Sequence, residues 1–227
     1  MTPCNIAGMA MLNGLNVAAL TDHNTSKNCP AFFAACEALG VLPMAGMELT
    51  TLEEIHLVCL FPTLADAMAF DSFAEEHRMR VKNRPEIFGE QIIMDENDVP
   101  IGKEEDLLIL ATDLDLTEAS REVFRRGGAA FPAHIEKASN SVLAILGDIP
   151  PEPGFGAAEL FDLSKLGSCL ELCRGLGNMT VISNSDAHML ESMRLDPPEL
   201  EITAANGEPD TLRRAIISFL RGDALPK

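Results

Sequence analysis

Two kinds of apolar run alternate along this chain. The first kind is short and continuous: Val17-Ala18-Ala19-Leu20, Val41 to Leu49, Ile55 to Phe61, Ala129-Ala130-Phe131, Ala157 to Phe161, and Val181-Ile182 within the stretch Thr180 to His188. Runs of this length, rich in β-branched or small residues, suit strands inside a sheet. The second kind repeats every three or four residues, as in Phe32, Phe33, Cys36 and Leu39, and predicts helices. Helices are expected from Thr2-Pro3 to Gly14, over 30–39, from Leu64 to about Arg80, from an N-cap at Thr117 to Gly127-Gly128, and over 141–146, 165–176 and 210–220. Residues 107–111 read as a short strand or a helical turn, and 199–203 as a last strand or edge. Strands alternating with helices make an α/β chain. Only Thr51 to Glu54 join the strands at 41–49 and 55–61, which predicts a hairpin there instead of a helical crossover. Residues 82–106 are polar and irregular, with a small hairpin around 92–94 and 99–101; they read as an insertion or cover.

The chain has 227 residues and no interdomain linker, which fits one domain over 1–227. The formal net charge of −18 repels phosphate backbones and anionic lipid, so neither nucleic acid nor a membrane surface is expected as a partner. A cluster of metal ions would still draw in an anionic substrate locally. Cysteines at 4, 29, 36, 59, 169 and 173 form no CxxC pair, which suits reduced thiols in a cytoplasmic protein. Met1-Thr2-Pro3 is not followed by a basic region and an apolar block, so no leader is read there. No apolar run approaches the ~20 residues of a membrane span.

The polar groups at the strand ends change the picture. Asp186 and His188 follow the strand at 180–182 and lie two apart, so extended backbone would aim both to one side. Of the five histidines, His23, His56, His134 and His188 stand at ends of predicted strands, and Glu48 and Asp186 stand at similar places. His77, in a charged helical stretch, reads as solvated. Imidazoles and carboxylates converging at strand mouths point to divalent metal binding. A Ser/His/Asp triad is a weaker fit, because no GxSxG elbow is present. No glycine-rich phosphate loop follows a strand.

Leu20-Thr21-Asp22-His23-Asn24, Gly46-Met47-Glu48, Pro132-Ala133-His134 and Asn184-Ser185-Asp186-Ala187-His188 resemble, in order, motifs of the PHP (polymerase and histidinol phosphatase) domain family. The resemblance spans nearly the whole chain. It implies a distorted (β/α)7 barrel with up to three metal ions at its C-terminal mouth, and phosphoester hydrolysis with manganese, iron or zinc. The family's first motif, a His-x-His ending the first strand, is not found here; the barrel is therefore expected to lack its first strand, as in a gene fragment or a misplaced start.

By the family pattern, Glu48, His56 and His134 hold one metal. A second shares Glu48 and uses Asp186, and a third keeps His23 and His188. One complete site and two impaired ones are expected. The implied reaction is attack of a metal-bridging hydroxide on phosphorus, with Glu48, His134, Asp186 and Lys137 as the catalytic residues and Lys137 as the cation nearest the phosphoryl oxygens. Asn24 and Asn184 could orient a phosphate or a water. The expected substrate is a small phosphorylated molecule. A non-catalytic metal-binding remnant or subunit, and an amidohydrolase-like enzyme acting on C–N bonds, are the competing readings.

Overall fold

The computed structural model describes residues 1–195, 199–202 and 204–223. Helix α1 (Pro3–Leu12) starts as its residues dictate: the Thr2 hydroxyl accepts from the Asn5 N–H, and Pro3 fills the first turn. Strand β1 (Val17–Leu20), helix α2 (Cys29–Leu39), β2 (Leu42–Thr50), β3 (His56–Phe61) and α3 (Leu64–His77) follow. A short helix α4 (Pro85–Phe88) and the antiparallel pair β4 (Ile92–Met94) and β5 (Pro100–Lys103) occupy the irregular stretch. Then come α5 (Leu116–Arg125), β6 (Ala129–Pro132), α6 (Val142–Leu146), β7 (Ala157–Glu159), α7 (Leu166–Leu172), β8 (Thr180–Ile182) and α8 (Pro209–Leu220).

The main sheet has the order β1-β2-β3-β6. Strand β2 is its spine, with every residue from Pro43 to Thr50 buried. It runs parallel to β1 and antiparallel to β3, and β3 runs antiparallel to β6. The short connection after β2 does form the expected hairpin, closed by the Thr51 N–H on the Ile55 carbonyl at 2.9 Å. At Gly46 the backbone of β3 leaves no room for a side chain, since a Cβ would lie 2.2 Å from the Cys59 carbonyl oxygen. One core unites the apolar sides of α1, α2, α3 and α5 with the sheet. A second joins Met44, Val58, Leu60 and Phe131 to Ile216, Ile217 and Leu220 of α8.

The coarse α/β expectation holds, and no closed barrel is formed among the described residues. Among the described residues the strands form three separate sheets: the four-stranded one, β4–β5, and the parallel pair β7–β8. The antiparallel hairpin breaks strict βα alternation. Strand β6 packs beside β7 without pairing with it in a ladder, and a loop bond ties them, Ile135 N–H to the Glu159 carbonyl at 2.9 Å. Strand β1 pairs with β2 alone and is an edge, so Val17 is 39% exposed and not buried as its apolar run predicted.

Smaller differences have local causes. Helix α5 is capped by Asp115, not Thr117, because Asp115 and Glu118 make a reciprocal capping box. The 165–176 helix stops at Leu172 and gives way to a 3-10 turn at Gly175–Asn178. Residues 107–111 are a turn, neither strand nor helix. Residues 199–202 are not strand, and Thr203 lies outside the described residues. The six cysteines are free, and all but Cys4 are buried. No helix among the described residues is long and apolar enough to cross a membrane.

Candidate metal centre

The main sheet delivers four of the predicted residues to one point. Glu48 lies near the C-terminal end of β2, opposite Val58 of β3. His23 continues β1 beyond its last ladder pair and bridges Glu48 in parallel register. Backbone bonds on both sides lock that bridge: Glu48 N–H to the Asp22 carbonyl at 3.1 Å, and Asn24 N–H to the Glu48 carbonyl at 2.9 Å. His56 opens β3. His134 follows β6 with φ +29°, a left-handed conformation rare for a residue with a Cβ. Its neighbours hold it there, since the Ala133 N–H reaches the His56 carbonyl at 3.0 Å and Ile135 is tied to β7.

These side chains converge. Glu48 Oε1 lies 3.4 Å from His56 Nδ1 and 3.5 Å from His134 Nε2, and the two ring nitrogens are 3.2 Å apart. Glu48 Oε2 is turned the other way, 3.3 Å from His23 Nδ1. His23, Glu48 and His56 offer ligand atoms all within 4.8 Å of one another. Four ligands about 2.1 Å from a tetrahedral ion stand about 3.4 Å apart, so the Glu48–His56–His134 triangle has the size of one face of such a shell. His23 Nδ1 is buried and makes no hydrogen bond. A buried imidazole nitrogen without a partner, aimed at a carboxylate, is an arrangement that a cation would complete. The donor set therefore fits a divalent ion.

The other predicted residues come from the loop after β8. Asp186 and His188 line the same pocket of about 130 Å³ as His23, Glu48, His56, His134 and Lys137, so all seven predicted side chains meet. The expected route was wrong, however. The strand ends at Ile182 and Asp186 has φ +45°, so extended geometry does not aim the pair. A left-handed turn does, leaving His188 Nδ1 3.8 Å from Asp186 Oδ1. The Lys137 ammonium pairs with Asp186 Oδ2.

Charge is unevenly distributed here. Burial opposes ionisation of Glu48, but hydrogen bonds from His134 and His56 outweigh it and hold the carboxyl well below the usual range. Burial also opposes protonation of His134, yet its bond to Glu48 and that group's charge raise it. Burial lowers His23, with Glu48 only partly offsetting it. Glu159 at the end of β7 is 3% exposed, and burial pushes it up to about 7 although the Asn184 amide donates to it at 3.2 Å. Glu159 was the residue to notice in the sequence: an acid inside Ala157-Ala158-Glu159-Leu160 is an anomaly in an apolar run. Ser139 and Asn140, which also line the pocket, carried no such signal.

Two expectations need correction, those for Asn24 and His77. Asn24 is fully buried and its side chain is spent on backbone: it donates to the Leu108 and Leu110 carbonyls at 2.6 and 2.8 Å and accepts from Thr50 N–H at 2.8 Å. It pins a turn and has no atom left for a phosphate. Asn184 differs: it is exposed and gives one amide N–H to Glu159 at 3.2 Å. His77 is not simply solvated, since its Nδ1 lies 2.6 Å from Asp113 Oδ1. The insertion packs by Asn28, whose side chain binds the Ile92 carbonyl at 3.2 Å and the Met94 N–H at 3.0 Å. No residue of 82–106 is among those lining the pocket.

No family model and no curated protein matches the chain. Solved structures do. The chain superposes on the lesion-specific endonuclease PfuEndoQ from Pyrococcus furiosus with a TM-score of 0.56, at 18% identity, over 96% of this chain and 51% of that one. It spans about half the length of that endonuclease. A protein of Bifidobacterium adolescentis assigned as a metal-dependent phosphoesterase aligns over 98% of this chain and 91% of its own, with a TM-score of 0.48 and 16% identity. The fold is thus one that an endonuclease also uses. That finding overturns the exclusion of nucleic acid as a partner. Net charge describes the whole surface, whereas a substrate meets the field of the site.

Proposed function

We propose that this chain is a metal-dependent hydrolase of phosphoesters. The observation that carries the reading is the triangle of Glu48 Oε1, His56 Nδ1 and His134 Nε2, with edges of 3.2 to 3.5 Å and His23 on the second carboxylate oxygen. In this reading Glu48, His56 and His134 hold the principal cation. Glu48, His23, Asp186 and His188 serve its neighbours. A bound divalent ion supplies Lewis-acid polarisation of a phosphoryl oxygen and makes water a competent nucleophile near neutral pH.

The residues supply the rest. Glu48 remains a carboxylate at any working pH, because its two imidazole partners hold it ionised. Lys137 stands at the pocket edge with its ammonium on Asp186, where it meets an incoming anion. Asn140 fixes the wall: its carbonyl accepts the His56 N–H at 2.9 Å, and its side chain donates to the Glu54 carbonyl at 3.0 Å.

The test is metal removal and return. Protein stripped with chelator should lose hydrolysis of bis-p-nitrophenyl phosphate and regain it with manganese, zinc or iron, while an amide substrate stays uncleaved throughout. Phosphodiester turnover that survives complete metal depletion would sink the reading, and metal-dependent cleavage of the amide alone would move it to C–N bonds.

A further inference from the structure

Beyond Lys137 the pocket wall continues into a feature that hydrolysis as described does not use. Phe161, two residues past β7, is a large apolar ring with 41% of its surface exposed. Two cations attend it. The Lys137 ammonium lies 4.8 Å from the ring centroid and the Arg194 guanidinium carbon 5.9 Å from it. Arg194 is fixed in place, donating from Nη1 to Ser183 Oγ at 2.8 Å and from Nη2 to the Phe161 carbonyl at 2.6 Å. Lys137 is the same ammonium that pairs with Asp186 in the pocket. Ring, ammonium and guanidinium therefore form one ledge that adjoins the ligand pocket through Lys137. Acids stand beside these cations as well: Asp186 pairs with the ammonium, and the Glu136 carboxylate accepts the Phe161 and Asp162 N–H groups at 3.3 and 2.7 Å. Such a ledge offers two contacts together: π-surface for a flat ring, and positive charge for an anion attached to it.

We propose that Phe161, Lys137 and Arg194 form a subsite for the planar aromatic part of a phosphoester whose phosphoryl group sits in the pocket, an inference that rests on the hydrolase reading. The flat ring of the ester stacks against Phe161 and the guanidinium plane, and the ammonium faces the phosphoryl oxygens. An aliphatic ester gains only the charge contact. A base in a nucleic-acid strand and a small aryl phosphate share this chemistry.

Binding by calorimetry tests it, with metal-free and manganese-loaded protein, using orthophosphate, phenyl phosphate and a short single-stranded oligonucleotide bearing a terminal phosphate. Phe161→Ala is a fair probe, because the residue's polar contacts are those of its backbone: the N–H on Glu136 and the carbonyl under Arg194. Wild type should bind phenyl phosphate about tenfold more tightly than orthophosphate, the magnitude of one stacked ring. Phe161→Ala should erase that preference and leave orthophosphate affinity unchanged; Phe161→Leu should fall between. An oligonucleotide held more tightly than phenyl phosphate, and weakened about tenfold by Phe161→Ala, identifies the ring as a base in a strand. An oligonucleotide held no more tightly identifies a small aryl ester. Absence of phenyl phosphate binding, or a preference that survives Phe161→Ala, overturns the proposal. Failure of the hydrolase reading shows instead as absent metal-dependent turnover, on which these affinity ratios do not depend.

Discussion

The two halves of the pocket are built to different standards. Glu48, His56 and His134 come from β2, β3 and β6, adjacent strands of one sheet, and their side chains are 9, 16 and 4% exposed. Asp186 and His188 come from a loop after the three-residue β8, and His188 is 67% exposed. In the first half, ladder bonds and core packing fix each Cα before any ion arrives. In the second, position depends on a few polar contacts: Lys137 on Asp186, Asn184 on Glu159 and Arg194 on Ser183. Preorganised ligands lose little freedom on binding, whereas loop ligands must be ordered by it. The sheet half should therefore set affinity, and the loop half should tune it.

The sharpest way to break that contrast is within the sheet half. His134→Ala removes one corner of the triangle and should lower metal affinity and phosphodiester hydrolysis by at least about 100-fold, since even residues that only support a ligand are worth 10- to 100-fold. Elemental analysis of dialysed protein reads the first effect and steady-state kinetics the second. Retention of stoichiometric metal would remove His134 from the principal set. Next in size is Gly46→Ala, two residues before Glu48. Its Cβ would fall 2.2 Å from the Cys59 carbonyl and 2.7 Å from Leu60 Cδ2, so β2 and β3 must separate. A loss of about 3 kcal/mol in denaturant-derived stability is expected, accompanied by weaker metal binding. Stability lost with metal affinity intact would show that the ligands do not depend on the ladder.

Glu159 lies between the halves, on β7 but bonded to the loop residue Asn184. Its ordinary carboxyl value of 4.5 rises to about 7 in the folded protein, chiefly through burial. A carboxyl raised on folding is protonated in the native state while the unfolded chain has already ionised. Its contribution is therefore whole below about 4.5 and is lost as pH climbs to about 7. In metal-free protein, Glu159→Gln should remove this decline, making the variant more stable than wild type above neutrality by up to about 3 kcal/mol. Melting temperatures across pH 5 to 9 measure it, and parallel curves for the two proteins would show that Glu159 is not held neutral.

The contrast also explains what the sequence could disclose. Glu48, His56 and His134 were legible because ionisable residues beside continuous apolar runs are chemically out of place, and the antiparallel hairpin sets the end of β2 beside the start of β3. The convergence of Asp186 with them was legible from residue type, but its geometry was not. A left-handed residue at 186 depends on contacts with Lys137, 49 positions away in the chain. Barrel closure was equally hidden, because local pattern marks strands without recording which edges meet. Asp115 displaced Thr117 as helix cap on a purely local rule, the reciprocal bond with Glu118, which was there to be read. Phe161 was legible as apolar and illegible as exposed, since Arg194 and Lys137 reach it from different segments.

The smallest effect belongs to the loop half and completes the comparison. His188→Ala removes an exposed imidazole whose Nδ1 lies 3.1 Å from its neighbour's carbonyl, that of Asp186, and whose ring centroid stands 5.8 Å from that of His23. It touches none of the three triangle atoms through a hydrogen bond. Metal at Glu48, His56 and His134 should remain stoichiometric, and hydrolysis should fall less than about tenfold, below 1.4 kcal/mol in transition-state terms. Titration with manganese should reveal the difference as a loss in the weaker binding phase only. If His188→Ala instead matches His134→Ala in both metal content and rate, the loop is as firmly placed as the sheet. Exposure would then be no guide to which ligands matter here.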